Sequence, residues 1–216
     1  MKPLARILYG SQNYNLSGPE SDKDYRTITF PTISELYSCK LHSTNEEWDV
    51  RKFVDLILKG NFNALELLFS TEKEFYDKNF EELWYFYRGC ASTICEYKSK
   101  PFFSSCRGCA LQSISRAESA ESETQFSKQM ARAQYMLDLL DIVRLSHFNF
   151  TDNTWRGFFT ETARKIRFEN APVDKFEIMA GFSQLEPHFA NTEDLPLYCE
   201  NFAFDYFKRG LKVLVQ

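Results

Sequence analysis

The chain has 216 residues, 44% hydrophobic and 16% aromatic, with 21 Phe and 11 Tyr. That suffices for one large or two small domains with a packed core, and it excludes wholesale disorder. A formal net charge of −4 and a pI near 5.5 exclude a surface built to coat long nucleic acid. No apolar run approaches the roughly 20 residues that span a bilayer. The start, Met1-Lys2-Pro3-Leu4-Ala5-Arg6, has no long apolar segment, so the expected location is cytoplasmic, with no membrane partner.

In chain order, residues 5–9 and 24–30 read as strands. Thr27-Ile28-Thr29-Phe30 has the β-branched and aromatic character that strands favour, and Pro31 ends the run. Residues 33–41 alternate apolar and polar, which predicts a third short strand or hairpin arm. Residues 48–59 predict a helix, with Trp48, Phe53, Leu56 and Ile57 near helical spacing and Gly60-Asn61 as its stop. Asn63 is expected to cap a further turn or two through Phe69. Residues 72–86 predict a helix carrying Phe75, Phe80, Leu83 and Trp84 on one side.

Beyond residue 87 the pattern is helical, over 110–119, 122–147, 160–168, 173–185 and 195–214. Met130, Ala133, Met136, Leu137, Leu140 and Val143 form a stripe that reads as core packing. Residues 149–153 and 169–172 read as loops. The expected fold is α/β in the α+β sense: a small mixed sheet with helices over 1–86, then a helical region over 87–216.

The segment most charged with chemistry runs from Ile7 to Asp24. Ile7-Leu8-Tyr9 is an apolar run that ends at Gly10-Ser11, as a strand does when it breaks into a turn before a helix. Backbone N–H groups at such a turn, with a serine hydroxyl beside them, suit triphosphate oxygens. Ser21-Asp22-Lys23-Asp24-Tyr25 follows. On one strand, Asp22 and Asp24 would share a face, and two such carboxylates bind Mg²⁺ readily.

This arrangement resembles the DNA polymerase β-type nucleotidyltransferase superfamily. It is most similar to the small stand-alone nucleotidyltransferases of bacteria and phages. Their pattern of Gly-Ser, an aromatic-containing turn, Leu, Pro-Glu-Ser-Asp and a second Asp matches Gly10 to Asp24. Val50-Arg51-Lys52-Phe53, Lys59-Gly60-Asn61 and Leu65-Glu66-Leu67-Leu68-Phe69 match further, as do Arg107-Gly108-Cys109-Ala110 and Lys128 more weakly. The match is good over the first ~70 residues and loose afterwards.

The resemblance implies transfer of a nucleoside monophosphate from an NTP, ATP foremost, with Mg²⁺ or Mn²⁺. It implies Asp22 and Asp24 as metal ligands and Gly10 and Ser11 as holders of the phosphates. Asn15, Asn61 and Glu66 recur in the family. Asn15 is counted with the nucleotide-binding residues, and Asn61 and Glu66 also have structural readings. Lys52, Lys128 or Arg132 would neutralise the leaving pyrophosphate.

The chain departs from the family at its third carboxylate. The usual Asp falls at Thr44, followed by Asn45-Glu46-Glu47-Trp48-Asp49. Glu46 has the strand parity of Thr44 and is the first candidate for catalysis and metal binding. Asp49 is the second, although an Asp opening a helix is also favoured by the helix dipole.

Six positive residues from Lys98 to Arg132, against Glu118, Glu121 and Glu123, offer a place for a triphosphate or a short nucleic-acid end. They equally suit a solvated helix face. The expected acceptor is an RNA or tRNA 3′ end, ahead of a protein. The alternative is a nucleotide-binding protein of phage or toxin–antitoxin type with weak or no transfer, which the missing Asp at Thr44 favours.

Cys106 and Cys109 have zinc or redox spacing, with Cys90 and Cys95 upstream. The wider first spacing and the family match at Cys109 argue for free thiols, as expected for Cys39 and Cys199 also. His42, His147 and His188 are scattered without metal spacing, and neither a P-loop nor a Gly-x-Ser-x-Gly elbow is present.

Overall fold

The computed structural model describes residues 1–18, 21–38, 41, 43–149, 151, 154–155, 161–190 and 194–214, the side chains of 210–214 excepted. Pro19, Glu20, Cys39 and His42 lie outside the described residues. The chain builds the expected mixed sheet followed by helices. It divides into two compact units, each assembled from separate stretches. The sheet unit is 1–9, 23–98 and 193–216; the helical unit is 10–22 and 99–192. The boundary expected after residue 86 falls within a helix of the sheet unit.

In the sheet unit, β1 (Lys2–Tyr9) lies between β2 (Asp24–Phe30) and β4 (Lys73–Phe75), antiparallel to both. β3 (Glu47–Asp49) pairs parallel with β2, so the order is β3-β2-β1-β4. Paired residues point to one face and alternate residues share it. Ala5 therefore shares a face with Ile28, Trp48 and Phe75. Ala5 and Ile28 on this face are fully buried.

Residues 33–41 do not form a strand: Ile33–Tyr37 is a helix, α1. Thr32 and Glu35 close a capping box, in which the Glu35 N–H donates to Thr32 Oγ1 and the Thr32 N–H to Glu35 Oε2. That local bonding overrides the alternating pattern. Trp48 belongs to β3, and α2 (Val50–Leu58) starts only after Asp49 accepts the Arg51 N–H at its N-cap. Asn61, not Asn63, caps α3 (Phe62–Leu68); the Asn63 N–H is what it binds. Residues 73–75 are strand rather than helix, and α4 runs Lys78–Tyr97 behind the Asp77 cap. Phe75 from β4 packs edge-on against Trp84 of α4, at 5.4 Å. α9 (Leu197–Leu214) adds Phe202, stacked on Phe86 at 3.9 Å, and Tyr206 against Phe30.

In the helical unit, α5 (Ser99–Glu118) packs along α6 (Glu123–Leu145), which also contacts α7 (Glu161–Phe168) and α8 (Lys175–Leu185). The predicted stripe of α6 is its buried side: Met130, Ala133, Met136, Leu140 and Val143 are buried, and Leu137 is half-buried. Residues 10–18 join this unit through Tyr14, fully buried and stacked on Tyr135 at 4.3 Å.

Two features give stability tests. α2 ends in a Schellman motif: the Gly60 N–H donates to Ile57 O and the Asn61 N–H to Leu56 O, with Gly60 at φ +67. A Cβ there would lie 2.8 Å from Lys98 Cβ. Gly60→Ala should cost about 1–2 kcal/mol from backbone conformation alone, plus the clash, read as a lower urea midpoint.

The second is Asp138 in α6. Its Oδ1 accepts from Gln134 Nε2, and its Oδ2 is buried without a partner among the described residues. Burial pushes its carboxyl up to about 6. A proton then binds the folded state more tightly than the unfolded one. This contribution is therefore most favourable below about pH 4 and is lost as pH rises through 6. Asp138→Asn should raise stability at pH 7 by at most about 2–3 kcal/mol, with the gain gone near pH 4; urea unfolding at both pH values checks this.

Candidate functional site

At the open end of the sheet, Tyr9 stands opposite Asp24 and Ile7 opposite Arg26. Asp24, Arg26 and Tyr9 thus share the face of Ile28 and Trp48. The Arg26 guanidinium lies 3.9 Å from the centroid of the Trp48 ring and 4.5 Å from that of Tyr9. Burial pushes Arg26 below its ordinary value, while Tyr9, Glu66 and Asp24 favour its charge. Glu66, in α3, is only 2% exposed, and its negative charge favours the charged form of this arginine. Lys52 from α2 donates to Ser43 Oγ and lies 4.9 Å from the Trp48 ring centroid. Burial, then the charge of Arg26, pushes its ammonium down. Cations held over aromatic faces in a half-dry setting stay available to an incoming anion.

Asp24 is exposed and makes no hydrogen bond or ion pair with any described residue. Asp22 is likewise exposed and unpaired among the described residues. β2 begins at Asp24, so the pleat does not itself carry Asp22 to the same face.

The two third-carboxylate candidates separate sharply. Asp49 stands beside Thr29, on the sheet face opposite Asp24. It is fully buried, caps α2, and holds Arg51 through Nε at 3.0 Å and Nη2 at 2.5 Å. Its carboxylate is committed to structure. Glu46 is exposed, one residue before β3, and its carbonyl accepts the Thr27 N–H at 2.8 Å. Continuing the β3 pleat backwards puts it on the Trp48 face, with Asp24. Thr44 is exposed, and its hydroxyl accepts the N–H groups of Glu46 and Glu47.

In the helical unit, Gly10 to Gln12 form a 3₁₀ turn with Gly10 at φ 82. The Ser11 carbonyl accepts the N–H groups of Tyr14 and Leu16, and Asn15 is exposed at φ 60. Ser21 Oγ accepts the Gly18 N–H at 2.9 Å. Past this turn opens a cavity of about 390 Å³ lined by Ser21, Asp22, Gln125, Lys128, Arg167 and Phe168, among others. Asp22 and Lys128, two of the sequence candidates, are thereby brought together.

Of the six positive residues from Lys98 to Arg132, Lys128 alone lines this cavity among the described residues. Arg107 instead faces Glu186 at 3.8 Å. Arg26 and Arg167 were missed by sequence reasoning. Arg26 was detectable, because it follows Asp24 by two residues on a strand; Arg167 had no local signal.

Among the described residues no three His, Cys, Asp or Glu side chains gather where they would hold a metal ion. An exposed aspartate such as Asp24 still fits Mg²⁺, which commonly takes one or two carboxylates and completes its shell with water and substrate phosphate. Cys90, Cys95, Cys106 and Cys199 are buried free thiols, and burial pushes Cys90 up to about 12, far from a reactive thiolate. His147 and His188 are exposed. Among the described residues, no helix is long and apolar enough to cross a membrane. No family model, curated protein or solved structure matches the chain.

Removal of the Asp49 carboxylate takes its bonds from the Arg51 guanidinium and leaves α2 without its N-cap. Asp49→Ala should therefore destabilise the fold by about 3 kcal/mol, whereas Glu46→Ala should leave the urea midpoint unchanged.

Proposed function

We propose that the protein is a metal-dependent nucleotidyltransferase that moves a nucleoside monophosphate from an NTP, ATP foremost, to an RNA or tRNA 3′ end. The observation that supports this most is the pairing at the end of the sheet. β1 runs to Tyr9 and continues as Gly10-Ser11; opposite Tyr9 stands Asp24, exposed and unpaired, on the face of Arg26. A free acid beside a cation backed by aromatic rings is complementary to a metal and to phosphate oxygens respectively.

In the reaction, an acceptor hydroxyl oxygen bonds to the α-phosphorus as the bond to the bridging α–β oxygen breaks and pyrophosphate leaves. Asp24 would hold Mg²⁺, which would supply neutralisation of the phosphate charge. Arg26 and Lys52 add fixed positive charge in a half-buried setting, where it acts more strongly than in water. Within the helical unit, the backbone N–H groups of the Gly10–Gln12 turn and the Ser11 hydroxyl are donors suited to phosphate oxygens.

A second function, nucleotide binding without transfer, is favoured by one observation: Thr44 occupies the position of the family's third acid, and its hydroxyl is engaged by backbone. Incubation with labelled NTP, Mg²⁺ and an RNA and protein extract separates the two. Expected is pyrophosphate release with label on RNA, lost in Asp22→Ala and Asp24→Ala, both of which stay folded. Glu46→Ala should lower kcat more than nucleotide affinity. NTP binding without pyrophosphate release would favour the second function, and label that survives ribonuclease would move the acceptor to protein.

A further inference from the structure

We propose that the cavity of the helical unit, bounded by Gly18, Ser21 and Asp22, the first turns of α6 and the end of α7, is a polyphosphate site. Its cationic groups are Lys128 and Arg167, and its ligand is the triphosphate tail of a nucleoside triphosphate. Naming the ligand rests on the nucleotidyltransferase assignment; the anion site itself rests on the cavity.

The charges are arranged for an anion that is not part of the protein. Lys128 is exposed and makes no hydrogen bond or ion pair with any described residue. Asp22 lines the same cavity, yet the two do not pair. Arg167 is anchored at one end: Nη1 donates to Thr124 O at 3.3 Å and to Ser127 Oγ at 3.4 Å. Its other terminal nitrogen, Nη2, lies 3.9 Å from where a Cβ on Gly18 would stand. Gly18 thus lies beside the guanidinium in the cavity wall. An arginine fixed by one nitrogen keeps its fork pre-organised for phosphate oxygens.

Neutral donors complete the lining. Ser21 Oγ accepts the Gly18 N–H, so its own O–H remains free to donate. Gln125 Oε1 accepts the Glu121 N–H, which turns its NH₂ into the available group. The volume of about 390 Å³ is that of a small-ligand pocket. Two cations against one carboxylate favour an anion, and the carboxylate favours an anion that arrives with a divalent cation.

The test is titration calorimetry with inorganic tripolyphosphate, with and without Mg²⁺, beside Mg²⁺-ATP and a short single-stranded RNA. Tripolyphosphate carries no nucleoside and cannot be a donor, so it reads the cavity whatever reaction the protein performs. Wild type should bind it, more tightly with Mg²⁺. Lys128→Glu and Arg167→Gln should each weaken tripolyphosphate and ATP by about tenfold or more. Arg167→Gln also removes bonds to Thr124 and Ser127; Lys128→Glu, an exposed and unpaired position, should melt as wild type does and keeps the test decisive.

Unchanged tripolyphosphate affinity in Lys128→Glu would overturn the proposal. So would RNA binding that depends on Lys128 in a protein that ignores tripolyphosphate, which would give the cavity to acceptor phosphates. Transfer activity with an indifferent Lys128 removes the site and keeps the nucleotidyltransferase. Lys128-dependent tripolyphosphate binding without pyrophosphate release keeps the anion site and removes the nucleotidyltransferase.

Discussion

Side chains on a strand alternate with a period of two, so a slip of β2 by one residue against β1 would exchange its two faces. Asp24 and Arg26 would then trade places with Tyr25 and Thr27. The register that sets Ala5 against Ile28 also sets Tyr9 against Asp24. Burial of the apolar pair at one end thus fixes the position of the acid at the other. Ala5, Ile7 and Ile28 are fully buried, which makes the wrong register expensive and the right one unambiguous. Arg26 is the cost of carrying charge on this core face. It is tolerated because two aromatic rings flank it and the charge of the buried Glu66 favours it.

Much of the fold was legible because its signals are local. β2 was readable from its β-branched run, and the core side of α6 from its stripe. The errors arose where a hydrogen bond of one side chain outweighed a pattern. The Thr32–Glu35 capping box made a helix of an alternating segment. Asp49 and Asp77 delayed α2 and α4, leaving Trp48 and Phe75 to the sheet. Apolar residues near a helix start satisfy either period, and only the cap decides.

The candidate residues were legible in unequal measure. Asp24 was readable with its neighbours, since strand parity is a property of adjacent positions. Asp22 was not, because the strand stops short of it. In sequence, Glu46 ranks ahead of Asp49 on strand parity and on the helix-opening place of Asp49; the burial of Asp49 and its grip on Arg51 then set the two apart. Arg167 is brought to Ser21 and Lys128 only by the packing of α7 against α6, which no spacing announces.

Each unit is sewn together from distant stretches of chain, and this bears on the order of events during synthesis. β1 leaves the ribosome well before α9, which packs on α4 in the same unit. At ordinary elongation rates of 5–20 residues per second, the interval is roughly ten to forty seconds. The helical unit can close within that interval, because all of its stretches precede residue 193. Meanwhile α4 keeps the apolar surface that α9 will cover, including Phe86, the stacking partner of Phe202. The nascent chain therefore carries uncovered aromatic surface on α4 until α9 emerges to bury it.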